Sequence, residues 1–141
     1  MHKQLIENED GVTLVELLAA LAILAIIVTS FLAFFIQSAR TSSQASHVNE
    51  ATFLAQQQME EVVYYSSNFT FKETESGLGL LPDSGIYYKR TSVDGYLIRT
   101  ELSKDNSETF KDAELYKVII TVNEGSTLRA QMENRLPFNK E

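Results

Sequence analysis

The sequence predicts an α+β fold in which one long N-terminal helix packs on a small antiparallel β-sheet of about four strands. The first observation is an uncharged apolar run from Leu17 to Ile36. The second is the absence of glycine and proline from residue 12 to residue 76, so that no helix breaker interrupts this part of the chain. The third is a series of short β-type segments after residue 85. One helix followed by several strands is typical of this fold class.

The first half of the predicted helix, residues 12–36, has the properties of a membrane-spanning segment. Its apolar run of about twenty residues, at about 1.5 Å rise per residue, crosses a hydrocarbon core about 30 Å thick. Apolar residues occupy every face of this helix and leave no polar stripe, which argues against a surface helix of a soluble domain. A secretory signal peptide fits less well, because the run is too long and the residues before it are acidic.

Residues 37–66 are predicted to continue the helix as an amphipathic segment. Polar residues replace the apolar run after Ile36 without a helix breaker. Further on, the apolar residues recur at spacings of three and four, which indicates one buried face. A small sheet cannot bury both of its faces alone, so this helix face is its natural cover. The apolar positions are Val48, Ala51, Ala55, Met59, Val62 and Val63.

The remaining chain is predicted to form a loop and a β domain. Residues 67–85 are rich in turn-forming residues and are predicted as a loop that ends the helix. Residues 86–141 are predicted as an antiparallel β domain, and Asp94-Gly95 is its strongest hairpin signal. The predicted strands cover residues 86–93, 96–102, 115–122 and 127–132.

Glu16 is an acidic residue at the head of the apolar run, and three interpretations of it stay open. Thr13 and Glu16 fit the Thr-x-x-Glu capping box, and an acid in the first turn also suits the helix dipole. An ionisable group in a membrane segment also commonly pairs with a group in the bundle or filament around it. Finally, cleavage after Gly11 would leave a free α-amine on Val12, with which Glu16 could pair within one chain or between neighbours. At about 4 Å and an effective dielectric near 20, that attraction is about 4 kcal/mol.

At these residues the chain resembles the type IV pilin and pseudopilin family. The resemblance lies in Gly11, the sequence Val12-Thr13-Leu14-Val15-Glu16 that follows it, and the apolar run. It implies that residues 1–11 are a leader peptide, of which Gly11 is the last residue, and that a prepilin peptidase cuts there and methylates the new amine of Val12. For Glu16 it implies a role in methylation and in docking an incoming subunit. It also implies a pilin-like fold.

The resemblance further implies a structural function and a membrane location. The chain would be a minor subunit of a type IV pilus-like filament or of a type II secretion pseudopilus, serving protein secretion, DNA uptake (competence) or surface pili. Its partners would be other pilin or pseudopilin subunits, the prepilin peptidase, an assembly platform protein and the membrane. It would cross the bacterial cytoplasmic membrane once, with the C-terminal domain outside the cytoplasm, before entering a cell-surface or periplasmic filament. The alternative is a single-pass membrane-anchored β-domain that acts as a binding module.

Composition and motifs favour no other class of function. The chain has a formal net charge of −7, which argues against direct nucleic-acid binding. It contains no cysteine, so it offers no thiol nucleophile and no thiolate metal site. His47 is the one histidine outside the leader, and a single helical histidine is more typical of a solvated side chain than of a base or ligand. We therefore expect no enzymatic activity, no cofactor and no bound metal.

Overall fold

The computed structural model of the chain describes residues 12–106 and 114–139. The predicted leader, residues 1–11, lies outside the described residues, and so does its last residue Gly11. The chain divides into two compact units, one ending at Ser43 and the other beginning at Gln44. The described elements are α1 (Leu14–Asn68), α2 (Phe71–Leu78), β1 (Leu81–Asp83), β2 (Ile86–Val93), β3 (Tyr96–Lys104), β4 (Leu115–Glu124) and β5 (Thr127–Pro137).

The first unit contains the apolar part of α1. Every residue in the range 12–43 is exposed. Its hydroxyl side chains bond to the helix itself: Thr29 Oγ1 donates to the carbonyl of Ala25 at 2.9 Å, and Ser30 Oγ donates to that of Ile26 at 2.8 Å. Because these polar groups are satisfied within the helix, they do not oppose its transfer to lipid.

The second unit begins with the remainder of α1, which packs on the sheet. Four residues of α1 are buried, and they are separated by four, seven and four positions along the helix, so they share one face. The two alanines among them are completely buried, and their small side chains let the helix backbone approach the strands closely. The buried residues are Ala51, Ala55, Val62 and Ser66.

The sheet is an antiparallel meander with strand order β1-β2-β3-β4-β5. Asp94 and Gly95 have φ values of 49° and 86°, so both turn residues between β2 and β3 are left-handed, as a type I′ hairpin requires. The predicted α+β fold is confirmed, with five strands where about four were expected. The additional strand is β1, which pairs with β2 at the sheet edge.

The core lies between α1 and the sheet face that the helix covers. Alternate residues of β3 and of β4 are buried, so each strand directs every second side chain towards the helix. The buried apolar residues outside α1 are Leu78, Leu80, Tyr96, Ile98, Leu102, Val118, Ile120, Val122 and Leu136.

Residues 67–85, predicted as a loop, contain the helix α2 as well as β1, and the loop prediction is wrong for those elements. The helix forms because Thr70 and Glu73 make a complete capping box: the Thr70 hydroxyl accepts from the Glu73 amide, and the Glu73 carboxylate accepts from the Thr70 amide. Gly79 ends the helix in the left-handed conformation. Gly77 permits close packing, since a Cβ atom at that position would lie 2.6 Å from the Tyr65 ring.

Stability tests this assignment of the core. Leu102 is fully buried, whereas Leu97 on the same strand is 42% exposed. Replacing Leu102 by alanine should lower the free energy of unfolding by about 2–5 kcal/mol because a cavity is left in the core. Leu97→Ala should cost about 1 kcal/mol or less. Urea unfolding of the full-length chain in detergent, followed by circular dichroism, measures both, and equal losses would contradict the proposed sheet faces.

Candidate functional site

The candidate site is the start of α1. The Thr13 hydroxyl accepts a hydrogen bond from the Glu16 amide at 3.2 Å, and the Thr13 carbonyl accepts one from the Leu17 amide at 3.1 Å. Thr13 therefore acts as the N-cap that the capping-box pattern predicts. Glu16 lies in the first turn, where the positive end of the helix dipole favours a carboxylate.

Val12 and Glu16 lie at the same end of α1, four residues apart. Val12 precedes the N-cap Thr13 and lies outside α1, so the two residues share the start of the helix without the fixed spacing of a helical turn. The side chains beside this site are strongly exposed, with values of 72% for Val12, 74% for Leu14 and 75% for Val15. Glu16 is thus a single carboxylate in an apolar, uncovered surface.

That apolar surface continues along the first unit of α1. By length and composition this helix is able to cross a membrane, and its most apolar window is entirely unburied. An apolar face of this extent needs lipid or other helices to cover it in an aqueous cell. In such a covered environment an unpaired charge is costly.

Comparison with known proteins identifies a signal at this site. Residues 8–32 match the model of one protein family, the prokaryotic N-terminal methylation motif, which is the type IV pilin and pseudopilin signal. The matched range includes Gly11, Val12 and Glu16. No curated protein and no solved structure matches the chain significantly. The chain thus carries the signal of a pilin-like precursor that prepilin peptidase processes, joined to a long apolar helix and an α+β pilin-like architecture.

A second polar cluster lies where α1 meets the sheet in the second unit. The Tyr96 hydroxyl, at the start of β3, donates to the Glu50 carboxylate of α1 at 3.1 Å. His47 Nδ1 lies 3.1 Å from that hydroxyl and 3.4 Å from Glu124 Oε1 on β4. Arg129 of β5 completes the cluster through hydrogen bonds of 2.9 Å to Glu124.

Sequence analysis did not predict this cluster. His47 was expected to be solvated, but its ring is half-buried and has contacts with two residues of the sheet. Only the order of the strands places Tyr96 and Glu124 opposite one another, as Cα partners in adjacent strands. The cluster links α1 to Tyr96, the first residue of β3, and to Glu124, the last residue of β4. Its role is therefore structural.

Within the residues that the structure describes, no group of three histidine, aspartate or glutamate side chains is placed to hold a metal ion.

The Tyr96 contacts predict an alkaline loss of stability. Burial, and then the hydrogen bond to Glu50, raise the pKa of Tyr96 above its usual value of 10.0. The neutral phenol is therefore favoured in the folded state, and its contribution is present below pH 10.0 and lost as the pH rises through the raised pKa. Wild-type stability should fall more steeply above pH 10.0 than that of Tyr96→Phe.

Urea unfolding of the full-length chain in detergent at a series of pH values measures this difference. Tyr64→Phe is the matched control, because Tyr64 is 59% exposed. Identical alkaline slopes for wild type and Tyr96→Phe would show that the hydroxyl has no such role.

Proposed function

We propose that the chain is a minor structural subunit of a type IV pilus-like filament or pseudopilus. The match of residues 8–32 to the N-terminal methylation motif is the observation that carries this proposal. The long exposed apolar helix and the small α+β unit support it, because a filament subunit needs both an assembly helix and a folded domain. The filament would serve protein secretion, DNA uptake or surface pili.

Processing would create the functional N-terminus. Prepilin peptidase would cleave after Gly11, and Val12 would become the first residue of the mature chain, with a methylated α-amine. Since Val12 and Glu16 lie at the same end of α1, cleavage would place a positive charge close to the carboxylate. The chain carries no Lys or Arg in residues 12–39, so the new amine is the positive charge that the cleaved apolar segment itself provides.

Pairing with an amine would offset the cost of keeping Glu16 in an apolar environment. Placing a carboxylate at the bilayer centre costs roughly 2.5–3.5 kcal/mol on insertion scales, and less near the ends of a span. An ion pair at about 4 Å and an effective dielectric near 20 contributes about 4 kcal/mol. In a filament, an incoming subunit that misplaced Glu16 would bury an unpaired charge, so the pair would fix the stagger between helices.

The apolar part of α1 would exchange lipid contacts for helix contacts during assembly. Before assembly it would hold the chain in the bacterial cytoplasmic membrane as a single span, with the second unit outside the cytoplasm. A platform membrane protein would then pass it into a filament with other pilin or pseudopilin subunits. Small residues that allow close helix approach are frequent near its start, namely Ala19, Ala20, Ala22 and Ala25.

Glu16 provides the first test. Glu16→Ala should leave membrane insertion intact, because it removes a charge from the apolar segment, but it should abolish recovery in sheared filaments. The control moves the acid one position in the double variant Val15→Glu/Glu16→Ala, which keeps the charge and turns it by about 100° around the helix. Immunoblots of membrane and filament fractions measure both properties.

The two variants separate pairing in register from simple helix capping. If a first-turn charge only stabilises the helix dipole, the double variant should assemble as well as wild type. If the position of the carboxylate sets the stagger, it should fail like Glu16→Ala. Normal assembly of Glu16→Ala itself would contradict the docking role.

Gly11 provides the second test. Gly11→Phe should block cleavage because a bulky side chain occupies the residue next to the cut bond, and the chain should retain residues 1–11. Glu7→Gln, which lies outside the matched residues 8–32, is the control and should be processed normally. Mass spectrometry of the purified chain distinguishes the two forms. A membrane-anchored binding module would instead keep residues 1–11 in wild type as well.

A further inference from the structure

The sheet face turned away from α1 carries a paired arginine patch. Arg90 of β2 and Arg99 of β3 are direct Cα partners across the two strands. The guanidinium carbon of each arginine lies 5.5 Å from the centroid of the Tyr88 ring, so both arginines make a cation–π contact with it. We name Tyr88, Arg90 and Arg99 the arginine patch.

The arginine patch has an incomplete set of counter-charges. Like charges directly opposite one another in a sheet are unfavourable. Glu101 forms an ion pair with Arg99, but no carboxylate among residues 12–106 and 114–139 pairs with Arg90. Arg90 is exposed and is therefore suited to receive a carboxylate from another molecule.

A complementary surface lies on the exposed side of α1 in the second unit. Phe53, Gln57, Glu60 and Tyr64 follow one another at intervals of four, three and four residues, so they form one stripe along the helix. The two aromatic side chains are 65% and 59% exposed, far more than a core aromatic. We name these four residues the α1 stripe.

The α1 stripe is acidic as well as aromatic. From residue 41 to residue 71 the chain contains no Lys or Arg, and Glu60 supplies the carboxylate of the stripe. Glu60 is exposed, and no cation among the described residues forms an ion pair with it. The stripe therefore offers a carboxylate flanked by two aromatic rings.

The two surfaces lie on opposite sides of the second unit. On α1, the buried residues Ala51, Ala55 and Val62 occupy the helix face opposite the stripe and contact the sheet. On β3, Arg99 alternates with the buried residues Ile98 and Thr100, so its side chain leaves the sheet on the uncovered face. Neither surface can reach the other within one chain.

We propose that the arginine patch of one copy docks on the α1 stripe of a second copy. Arginine binds carboxylates and also stacks on aromatic faces, so the patch matches both components of the stripe. We assign the docking partner as a second copy of this chain, because among the described residues Arg90 of the patch lacks a paired carboxylate and Glu60 of the stripe lacks a paired cation. This inference rests on the proposed function, in which subunits pack beside one another in a filament.

The geometry of such a contact favours an open assembly. Because two different surfaces meet, the contact is heterologous, and each copy keeps one free patch and one free stripe after docking. Contacts of this kind extend into a helical filament unless the rotation closes a ring. The contact would add a second connection between subunits, distinct from the packing of their apolar helices.

Cysteine crosslinking of the full-length chain in its membrane tests the contact. Gln57 lies in the stripe, and Ser92 is an exposed residue two positions from Arg90 on the same sheet face. The natural chain contains no cysteine, so every thiol crosslink comes from the introduced residues. Copies carrying Gln57→Cys and copies carrying Ser92→Cys should form a dimer when they are produced together, and neither should do so alone. Ser126→Cys, in the exposed turn between β4 and β5, replaces Ser92→Cys as the control and should give no dimer with Gln57→Cys.

Charge reversal tests the chemistry of the same contact. In the crosslinking pair, Glu60→Arg or Arg90→Glu in every copy should lower the dimer yield roughly tenfold or more, because like charges then face one another. The double variant Glu60→Arg/Arg90→Glu in every copy should restore most of the dimer yield, because opposite charges face one another again. Lys72→Glu makes the same change of charge as Arg90→Glu, but on α2, and should leave the yield unchanged.

The outcomes separate this inference from the proposed function. Filaments that form from correctly processed chains, without a crosslinked dimer between the Gln57→Cys and Ser92→Cys copies, would overturn the docking contact and leave the proposed function standing. Unprocessed wild-type chains would overturn the proposed function, whereas the dimer and its rescue by charge exchange would still support the contact. Dimers within a single cysteine variant, or crosslinks only to other proteins, would overturn the contact between the two surfaces.

Discussion

The central constraint on this protein is an exposed apolar helix that carries one carboxylate in its first turn. All side chains in residues 12–43 are exposed, and Glu16 is the one acidic residue among them. Apolar surface of this extent requires a non-aqueous environment, and such an environment makes the unpaired charge at Glu16 costly. A lipid bilayer is sufficient to provide that non-aqueous environment. A positive partner, at the start of this helix or of a neighbouring one, offsets the cost of the charge.

The two units meet different demands with the same helix, α1. In the apolar run of the first unit, Thr29 and Ser30 donate to carbonyl groups of the helix itself, and exposed apolar residues lie on all sides. In the second unit it has one buried face, where Ala51 and Ala55 allow close packing on the sheet, and one exposed face with Phe53 and Tyr64. The change from uniform to one-sided apolar character distinguishes a surface for lipid or helix bundles from a cover for a sheet.

Much of this organisation was predictable because its signals are local in sequence. The Asp94-Gly95 dipeptide between two short β-type segments predicted a hairpin, and both turn residues have the left-handed φ values that such a turn requires. The helix α2 was missed although Thr70 and Glu73 form a capping-box pattern, because the neighbouring glycines favoured a loop. The sequence therefore contained the signal for α2, but two local preferences competed.

Contacts between distant residues were beyond sequence analysis. The ring centroids of Phe71 in α2 and Tyr116 in β4 lie 4.1 Å apart, and His47 Nδ1 in α1 lies 3.1 Å from the Tyr96 hydroxyl. Each of these contacts forms only when the helix concerned packs on the sheet. The candidate site shows the same limit. Gly11, Val12 and Glu16 were predicted from a local signature, whereas the proposed counter-charge for Glu16 depends on cleavage and on which chain supplies the amine.

The distance between the Val12 nitrogen and the Glu16 carboxyl carbon in assembled filaments tests this ion pair most directly. Solid-state NMR of filaments with ¹⁵N-valine and carboxyl-¹³C-glutamate can measure it, and mixing singly labelled copies distinguishes pairs within one chain from pairs between chains. The ion pair predicts an amine signal for Val12 with strong dipolar coupling to the Glu16 carboxylate, at a separation of about 4 Å. An amide signal for Val12, or an amine without measurable coupling to Glu16, would contradict it.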